Sequence, residues 1–171
     1  MEQRSQEAPR AVEVTLRRCE PSDLDAMKDW ASDLLKPTET LYTYLHYFVL
    51  PHPWYRAICL AGDDRPIGAV YLTRETRDPC RAELSYQLAQ AHWGKGVMTA
   101  TVKRTVATVF EDMEGLERVE ALVDVANLAS KRVLEKAGFT REGVLRKYGA
   151  IKGVVKDMVI FSFIDTDPLV E

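Results

Sequence analysis

The residues with the clearest chemical meaning form a short glycine-containing segment, WGKGVMT, at positions 93–99. A strand-like run precedes this segment and a helix-like run follows it. Gly94 and Gly96 permit backbone angles, or a close backbone approach, that a side chain would block. The first N–H groups of the following helix lack intrahelical acceptors and carry the positive end of the helix dipole. Such a loop can bind a phosphate or pyrophosphate, and Lys95 adds a positive charge beside it.

Two familiar phosphate-binding patterns are absent from the sequence. The chain has no GxxxxGK[ST] motif, which excludes a P-loop nucleotide hydrolase. A dinucleotide fingerprint would need a third glycine where this chain has Thr99, and a parallel βαβ unit near the N-terminus. The spacing alone therefore leaves two interpretations open, a phosphate site or a tight turn before a helix.

The elements that position this loop follow the order β-α-α-β-β-β-α-β-α-β-β, which indicates a mixed α/β domain. Three successive strands with short polar turns precede the loop and predict an antiparallel meander. Pro37 is expected to end the first helix and Thr38 to cap the second. The predicted strands are 12–19, 56–61, 67–73, 81–89, 118–125, 139–147 and 154–164, and the predicted helices are 24–34, 41–48, 97–112 and 129–137.

Composition excludes several classes of protein. The 171 residues suit one domain, and no apolar run approaches the roughly 18 residues of a membrane span. A net charge of −3 gives no general attraction for nucleic acid or anionic membranes. The three cysteines are far apart and form no CxxC pair, which favours a reducing compartment and argues against a zinc framework. The first ten residues contain acidic residues and no apolar stretch, so they resemble neither a secretory signal nor a transit peptide. We therefore expect a cytoplasmic protein, with a nuclear location also possible.

Two blocks, AELSYQLAQAHWGKGVMT at 82–99 and VDVANLASKRVLEKAGF at 123–139, resemble the GCN5-related N-acetyltransferases. The resemblance is narrower to the branch of ribosomal-protein N-terminal acetyltransferases (RimJ/RimL-like), and closest to uncharacterised plant-type members. It implies a mixed α/β fold with a mostly antiparallel sheet of about seven strands, splayed in the middle, and about four helices. It also implies one acetyltransferase domain at 12–166, an N-terminal mobile tail at 1–11 and a C-terminal tail at 167–171.

The resemblance implies acetyl-CoA as cosubstrate, with no metal ion. The family loop usually begins with Gln or Arg and ends with Gly or Ala, where this chain has Trp93 and Met98. A backbone N–H can still donate from Met98. The family also places the pantetheine arm beside the preceding strand, and a CoA-contacting asparagine at the start of the next helix. The implied cofactor contacts are Gln87, Leu88, Ala89, Trp93, Gly94, Lys95, Gly96, Val97, Met98, Thr99, Asn127, Ser130 and Arg132.

These helix residues also have simpler interpretations. Asn127 or Ser130 could cap the short helix, and capping is compatible with a ligand contact. Arg132 could reach a CoA phosphate or could be a solvated helix residue.

Catalysis by direct transfer needs a neutral amine, a polarised carbonyl and a proton for the leaving thiolate. The resemblance assigns the last role to Ser130, which matches the serine that has this role in the resembled branch. Other branches use a tyrosine further along the helix, where this chain has Leu134. Glu83 is the candidate base: by period two it shares a strand face with Ser85 and Gln87, and several family members carry a catalytic glutamate there. Its alternative role is an ion pair with a neighbouring strand. A further carboxylate of the resembled branch is replaced here at Gly149.

The amine acceptor is expected to bind among aromatic side chains of the first two helices and the loop after them, which could form a cation–π cradle. The alternative is that these aromatics are core residues. A lysine amine is neutral in roughly one molecule in 2,500 at pH 7 and an α-amine in about one in ten, which favours an α-amine acceptor. The candidate acceptor contacts are Trp30, Tyr44, Trp54 and Tyr148.

The sequence thus predicts an acetyl-CoA-dependent N-acetyltransferase acting on a protein N-terminus or a small-molecule amine, as a monomer or homodimer. The alternative is an acyl-CoA-binding or sensing module with weak or no catalysis. The length of the transferred acyl group is not specified by these residues.

Overall fold

The computed structural model describes residues 11–35 and 39–171. Two predictions lie outside the described residues. They are the tail at 1–11, apart from Ala11, and the helix stop and cap at Pro37 and Thr38. Within this part of the chain, no helix has both the length and the apolar character needed to cross a membrane.

In the part of the chain that the structure describes, seven strands form one sheet with the order β1-β2-β3-β4-β5-β7-β6. All neighbours are antiparallel except β4 and β5, which are parallel. This confirms the predicted mixed α/β fold with a mostly antiparallel sheet. The strands are β1 Val14–Arg17, β2 Tyr55–Leu60, β3 Gly68–Arg74, β4 Arg81–Leu88, β5 Arg118–Asp124, β6 Thr140–Ile151 and β7 Val154–Ile164.

The described residues form four α-helices, which differ greatly in length. They are α1 Leu24–Met27, α2 Leu41–Tyr44, α3 Val97–Asp112 and α4 Leu128–Lys136. Short 3-10 turns cover Pro21–Asp23, Ser32–Leu34 and Gln90–His92, and a π turn covers Leu45–Val49. The boundaries of α3 match the prediction, since its apolar spacing and glycine start agree with one another.

The predicted continuous helix at 24–34 is wrong. The structure has one turn of α-helix, then turns, then a 3-10 segment. Tertiary contacts explain the break: Met27 and Ala31 are fully buried against the sheet, and Asp23 is held by two hydrogen bonds from the Arg17 guanidinium. The Ser32 hydroxyl donates to the Lys28 carbonyl, a back-bond that bends helices. A helix of this length has too little stability of its own to keep a regular geometry against these contacts.

The predicted helix at 41–48 also changes character halfway. Thr40 caps its start by accepting the Thr43 N–H, and after Tyr44 the chain widens into the π turn. The Leu50 N–H donates to the Leu45 carbonyl across that turn. The extra residue lets Leu45 and Val49 remain buried while the chain turns towards β2.

The sheet is covered by helices on both faces. On one face α3 and α4 enclose the larger core, which includes Phe161, Phe163 and Val102. On the other face α1, α2 and the π turn enclose a smaller core around Met27, Leu45 and Tyr55. The strands between them are therefore buried on both sides.

The sheet opens between β4 and β5. These strands pair only over Arg81–Glu83 and Arg118–Glu120, although both continue for several more residues. β4 remains paired with β3 up to Leu88, and β5 remains paired with β7 up to Asp124. The remaining part of β4, from Leu84 onward, therefore presents a strand edge with no strand beside it.

Candidate active site

The glycine loop has the backbone geometry that its sequence predicts. Gly94 has φ +70° and Gly96, which begins α3, has φ +76°. The first helical bond of α3 runs from the Ala100 N–H to the Gly96 carbonyl, so the preceding N–H groups, at 97–99, have no acceptor within the helix. The Met98 side chain is buried in the larger core, so this residue presents only its backbone to the loop.

The loop is held by its own side chains. The Lys95 Nζ donates to the Ala91 carbonyl at 2.8 Å, so its charge is fixed beside the loop. The Trp93 indole N–H donates to the Leu88 carbonyl at 2.8 Å, although the ring is 61% exposed. These bonds tie the loop to the end of β4, directly beside the opening in the sheet.

The exposed edge of β4 carries backbone groups that can bind an extended ligand. Ala89 donates its N–H towards β3, to the Ile67 carbonyl, whereas the Leu88 carbonyl points the other way, to Trp93. Backbone groups alternate in direction along a strand, so those of Tyr86 point into the opening as those of Leu88 do. A ligand with amide groups could add to this edge as an extra strand.

Three buried polar atoms on the α1/α2 side of the sheet have no hydrogen-bond partner among the described residues. They are the Gln87 Oε1, the Trp30 indole Nε1 and the Tyr55 hydroxyl. A buried polar group without a partner costs roughly 1–3 kcal/mol. Of these three residues only Gln87 lies on the predicted cofactor strand, where a polar ligand or water would give its Oε1 a partner.

A hydroxyl pair joins β4 to α4. The Tyr86 hydroxyl lies 2.6 Å from the Ser130 Oγ, and either oxygen can be the donor. The Ser130 N–H donates to the Asn127 Oδ1 at 3.1 Å, so Asn127 caps α4 as its simpler interpretation proposed. Burial raises the pKa of Tyr86, and the Ser130 hydrogen bond opposes that change. The phenol therefore holds its proton at neutral pH.

Glu83 lies on β4 and faces the α1/α2 side together with Ser85 and Gln87. No ion pair to its carboxylate occurs among the residues at 11–35 and 39–171, so the structure does not give it the alternative structural role. Desolvation by neighbouring side chains raises the pKa of Glu83, although the residue as a whole is exposed. The negative charge of Glu120 raises this pKa further. A carboxylate with a raised pKa is a better proton acceptor.

The neighbouring carboxylate, Glu120, has the structural role instead. It lies opposite Glu83 in the β4–β5 register and accepts from Arg81 at 2.9 Å and Arg118 at 3.0 Å. Arg118 also forms a two-bond contact with Glu142, and this guanidinium lowers the pKa of Glu142 to about 2. Glu142 is therefore ionised at neutral pH and serves as an ion-pair partner.

An aromatic cluster lies beside Glu83 on the same face of the sheet. The rings of Tyr55 and Tyr71 stack with centroids 5.1 Å apart, and Phe48 and His52 meet Tyr71 edge-on. Burial lowers the pKa of His52, so its imidazole is neutral at pH 7. Burial raises the pKa of Tyr71, and the adjacent Glu83 charge contributes to this. Uncharged rings next to a carboxylate suit a cationic amine.

The candidate acceptor residues are not all brought together. Trp30 and Tyr44 are buried in the smaller core, and Tyr44 stacks on Phe48 with ring centroids 5.1 Å apart. Trp54 packs in the larger core on the opposite side, where its indole donates to Asp112 at 3.0 Å. Tyr148 is 56% exposed on β6. Trp30 and Tyr44 thus lie beside the aromatic cluster, whereas Trp54 does not.

The remaining residues singled out from the sequence lie on α4 and β6. Arg132 is exposed on α4, in keeping with either interpretation of it. Gly149 lies in β6 opposite Lys156, and a side chain there would meet open space. Leu134 is fully buried beneath α4.

Sequence reasoning missed Tyr86, Glu120 and Tyr71. Tyr86 and Ser130 are 44 residues apart, so only the fold reveals their contact. Glu120 faces Glu83 through a parallel pairing that the strand pattern does not specify. The usable signal was the alternation of side chains along a strand, which places Tyr86 and Glu83 on opposite faces of β4.

Known proteins resemble this chain in both sequence and structure. Residues 13–140 match the family described as "Acetyltransferase (GNAT) domain". "Probable N-acetyltransferase YjcK" of Bacillus subtilis is 43% identical over 111 residues, which are 64% of this chain and 61% of that protein. The chain thus spans about three fifths of the length of this curated relative.

Solved structures share the fold over most of the chain. An acetyltransferase (GNAT family) from Bacillus anthracis has a TM-score of 0.77 at 20% identity, over 91% of this chain and 96% of that one. The ribosomal-protein-S5-alanine acetyltransferase from Vibrio fischeri has a TM-score of 0.69 at 25% identity, over 94% and 97%. The self-immunity acetyltransferase MccE, solved with acetyl-CoA and AMP, has a TM-score of 0.57 at 24% identity, over 64% and 59%.

Proposed function

The chain belongs to the acetyltransferase (GNAT) family, and on that premise we propose that it transfers an acetyl group from acetyl-CoA to a primary amine. The observation that carries this proposal is the unpaired edge of β4 leading into the glycine loop before α3. Acetyl-CoA has a diphosphate and an amide-containing arm, which match the loop and the strand edge in turn. MccE, which shares the fold, is solved with acetyl-CoA.

The binding roles divide between loop and strand. The free N–H groups at 97–99 hold the diphosphate, with Lys95 beside them. The backbone of Tyr86 and Leu88 pairs with the amide-containing arm, and the Gln87 Oε1 gains a partner that the protein does not provide. We assign further CoA contacts to Asn127 and Ser130, at the start of α4, and to the exposed Arg132 two residues further along the helix.

The chemical roles follow from where each group lies. Glu83 accepts a proton from the amine, because its carboxylate is free of ion pairs within the described residues and its pKa is raised. A β4 backbone N–H at the opening polarises the thioester carbonyl. Ser130 donates a hydrogen bond to the leaving sulfur from the start of α4. Transfer is direct, in a ternary complex.

An α-amine is the acceptor class that this chemistry favours. At neutral pH an α-amine is neutral far more often than a lysine amine, so a single carboxylate such as Glu83 is sufficient. The neighbouring Vibrio fischeri structure is a ribosomal-protein-S5-alanine acetyltransferase, which agrees with a protein N-terminus as acceptor. Membership of the ribosomal-protein branch, rather than of the family in general, is part of this proposal.

The second candidate function is an acyl-CoA-binding module without turnover. Two positions favour it: Leu134 replaces the tyrosine of other branches, and Gly149 replaces a carboxylate. Leu134 is fully buried, and a side chain at Gly149 would meet open space.

Thiol release tests the two functions against each other. The protein is mixed with acetyl-CoA and a panel of amines (N-terminal peptides, lysine-containing peptides with blocked N-termini, and polyamines), and free CoA thiol is followed. We expect amine-dependent thiol release, fastest with a free peptide N-terminus. CoA binding without thiol release for every amine would contradict catalysis and support the binding module.

A further inference from the structure

The hydroxyl pair of Tyr86 and Ser130 spans the opening between β4 and β5. Tyr86 is on β4 just past the last residue that pairs with β5, and Ser130 is in the first turn of α4, which follows β5. Their oxygens are 2.6 Å apart, at the short end of the range for O–H···O hydrogen bonds. Both residues are half-buried, so solvent does not compete freely for this bond.

We propose that Tyr86 is a positioning residue that orients the Ser130 hydroxyl and passes a proton through it to the departing CoA thiolate. This inference rests on the proposed function, because it assumes that the thioester lies along the β4 edge. No residue of α4 supplies a phenol at this place, since Leu134 is buried beneath the helix. β4 supplies one from the opposite side of the opening.

The proton balance explains why a phenol helps. As the carbon–sulfur bond breaks, the thiolate takes the Ser130 hydroxyl proton while Ser130 takes the proton of Tyr86. The charge then rests on a phenolate. Without Tyr86 it would rest on a serine alkoxide, which is far more basic. A phenol, with an ordinary pKa of about 10, is a much stronger acid than an aliphatic hydroxyl, and the Ser130 hydrogen bond lowers the pKa of Tyr86 against the effect of burial. Glu83 holds the amine proton, and water restores both groups after product release.

The relay uses one of the two directions that this hydroxyl pair allows. Asn127 accepts the Ser130 backbone N–H, which anchors Ser130 at the start of the helix. With Tyr86 donating to the Ser130 oxygen, the serine proton is left pointing away from Tyr86. It is then free to donate to a sulfur atom in the opening.

The test is Tyr86→Phe, which removes one oxygen and keeps the ring. We expect kcat to fall about a hundredfold, the lower end of what a proton transfer contributes. The KM for acetyl-CoA and the melting temperature should stay nearly unchanged. Tyr47→Phe is the matched control, because Tyr47 is 78% exposed and lies outside the opening. An unchanged kcat for Tyr86→Phe would overturn the inference.

A change of leaving group separates proton supply from a structural tie. The selenium analogue of acetyl-CoA releases a selenolate, which needs no proton to depart. We expect the loss caused by Tyr86→Phe to shrink at least about tenfold with this donor. An equal loss with both donors would show that the bond only holds α4 in place. Ser130→Ala combined with Tyr86→Phe should be no slower than Ser130→Ala alone, and additive losses would contradict the relay.

Failure of the inference is distinguishable from failure of the proposed function. Wild-type protein that neither binds CoA nor releases thiol would overturn the proposed function and this inference with it. Wild-type turnover together with an unchanged Tyr86→Phe variant would overturn only the role of Tyr86.

Discussion

Two carboxylates illustrate how neighbouring residues with the same chemistry acquire different roles. Glu83 and Glu120 lie opposite each other on β4 and β5. Arg81 and Arg118 both hold Glu120, whereas Glu83 receives no such contact within the described residues. The ion pairs hold Glu120 as a structural group, whereas desolvation raises the pKa of Glu83 and the Glu120 charge adds to that increase. Ser85 is two residues from Glu83 and lies on the same face of β4, but its neutral hydroxyl is not a base at pH 7.

Glu120→Gln tests this coupling. Removing the Glu120 charge should lower the pKa of Glu83, and the two freed arginine charges act in the same direction. The base would then be deprotonated at lower pH, so the acidic limb of kcat against pH should move to lower pH. The measurement is a pH–rate profile, with Glu83→Gln as the variant that should lose the limb. A limb that stays in place for Glu120→Gln would separate Glu120 from the base.

Glu142→Gln tests the ion pair between Glu142 on β6 and Arg118 on β5. The pKa of Glu142 is lowered from 4.5 to about 2 by the Arg118 hydrogen bonds. A depressed carboxyl pKa stabilises the fold above the unfolded value and loses that effect as pH falls through the folded value. The variant should melt at a lower temperature at pH 7, and the difference should vanish between about pH 4.5 and about pH 2. Exposed Glu135→Gln is the control. A fall in melting temperature for Glu142→Gln that is as large at about pH 2 as at pH 7 would contradict the account.

At the scale of elements, a helix could be predicted where its starting residue and its apolar spacing agree. Where tertiary contacts oppose the local spacing, the prediction failed. The glycine start and apolar spacing of α3 agree, and its boundaries follow from them. The region at 24–34 has helical spacing, yet contacts with the sheet and with Arg17 divide it into short turns. Helical spacing records which side chains are buried, and short turns can bury the same side chains.

The left-handed start of α3 gives a prediction at this scale. Gly96 has φ +76°, where an alanine side chain costs roughly 1–2 kcal/mol. Gly96→Ala should therefore lower stability by about that amount and weaken CoA binding, because the loop N–H groups would shift. Unfolding in urea and calorimetric titration with CoA measure the two effects. Gly143→Ala is the control, since Gly143 has no positive φ and open space around its Cβ position. Unaltered CoA affinity in Gly96→Ala would contradict the role of the loop.

At the scale of the whole molecule, the sheet brings two functions to one opening. The α3/α4 side provides the glycine loop, Ser130 and Tyr86, and the α1/α2 side provides Glu83 and the aromatic cluster. Since β4 stops pairing with β5 after three residues, a ligand in the opening can touch groups of both sides. The sequence predicted the loop and the candidate base Glu83 from local patterns together with the family resemblance. It could not predict Glu120 or the Tyr86–Ser130 contact, because those pairings depend on strands and helices far apart in the chain.

The most direct test of the account is the response of backbone amides to coenzyme A, followed by NMR in solution. We predict that saturating CoA perturbs the amides of 94–99 and of 84–88, and leaves those of the β1–β2 pairing unchanged. Binding at a hundred times the dissociation constant should add about 2.7 kcal/mol to the free energy of unfolding. Coenzyme A that leaves these amides and the melting temperature unchanged would contradict the assignment of the loop and the β4 edge as the cofactor site.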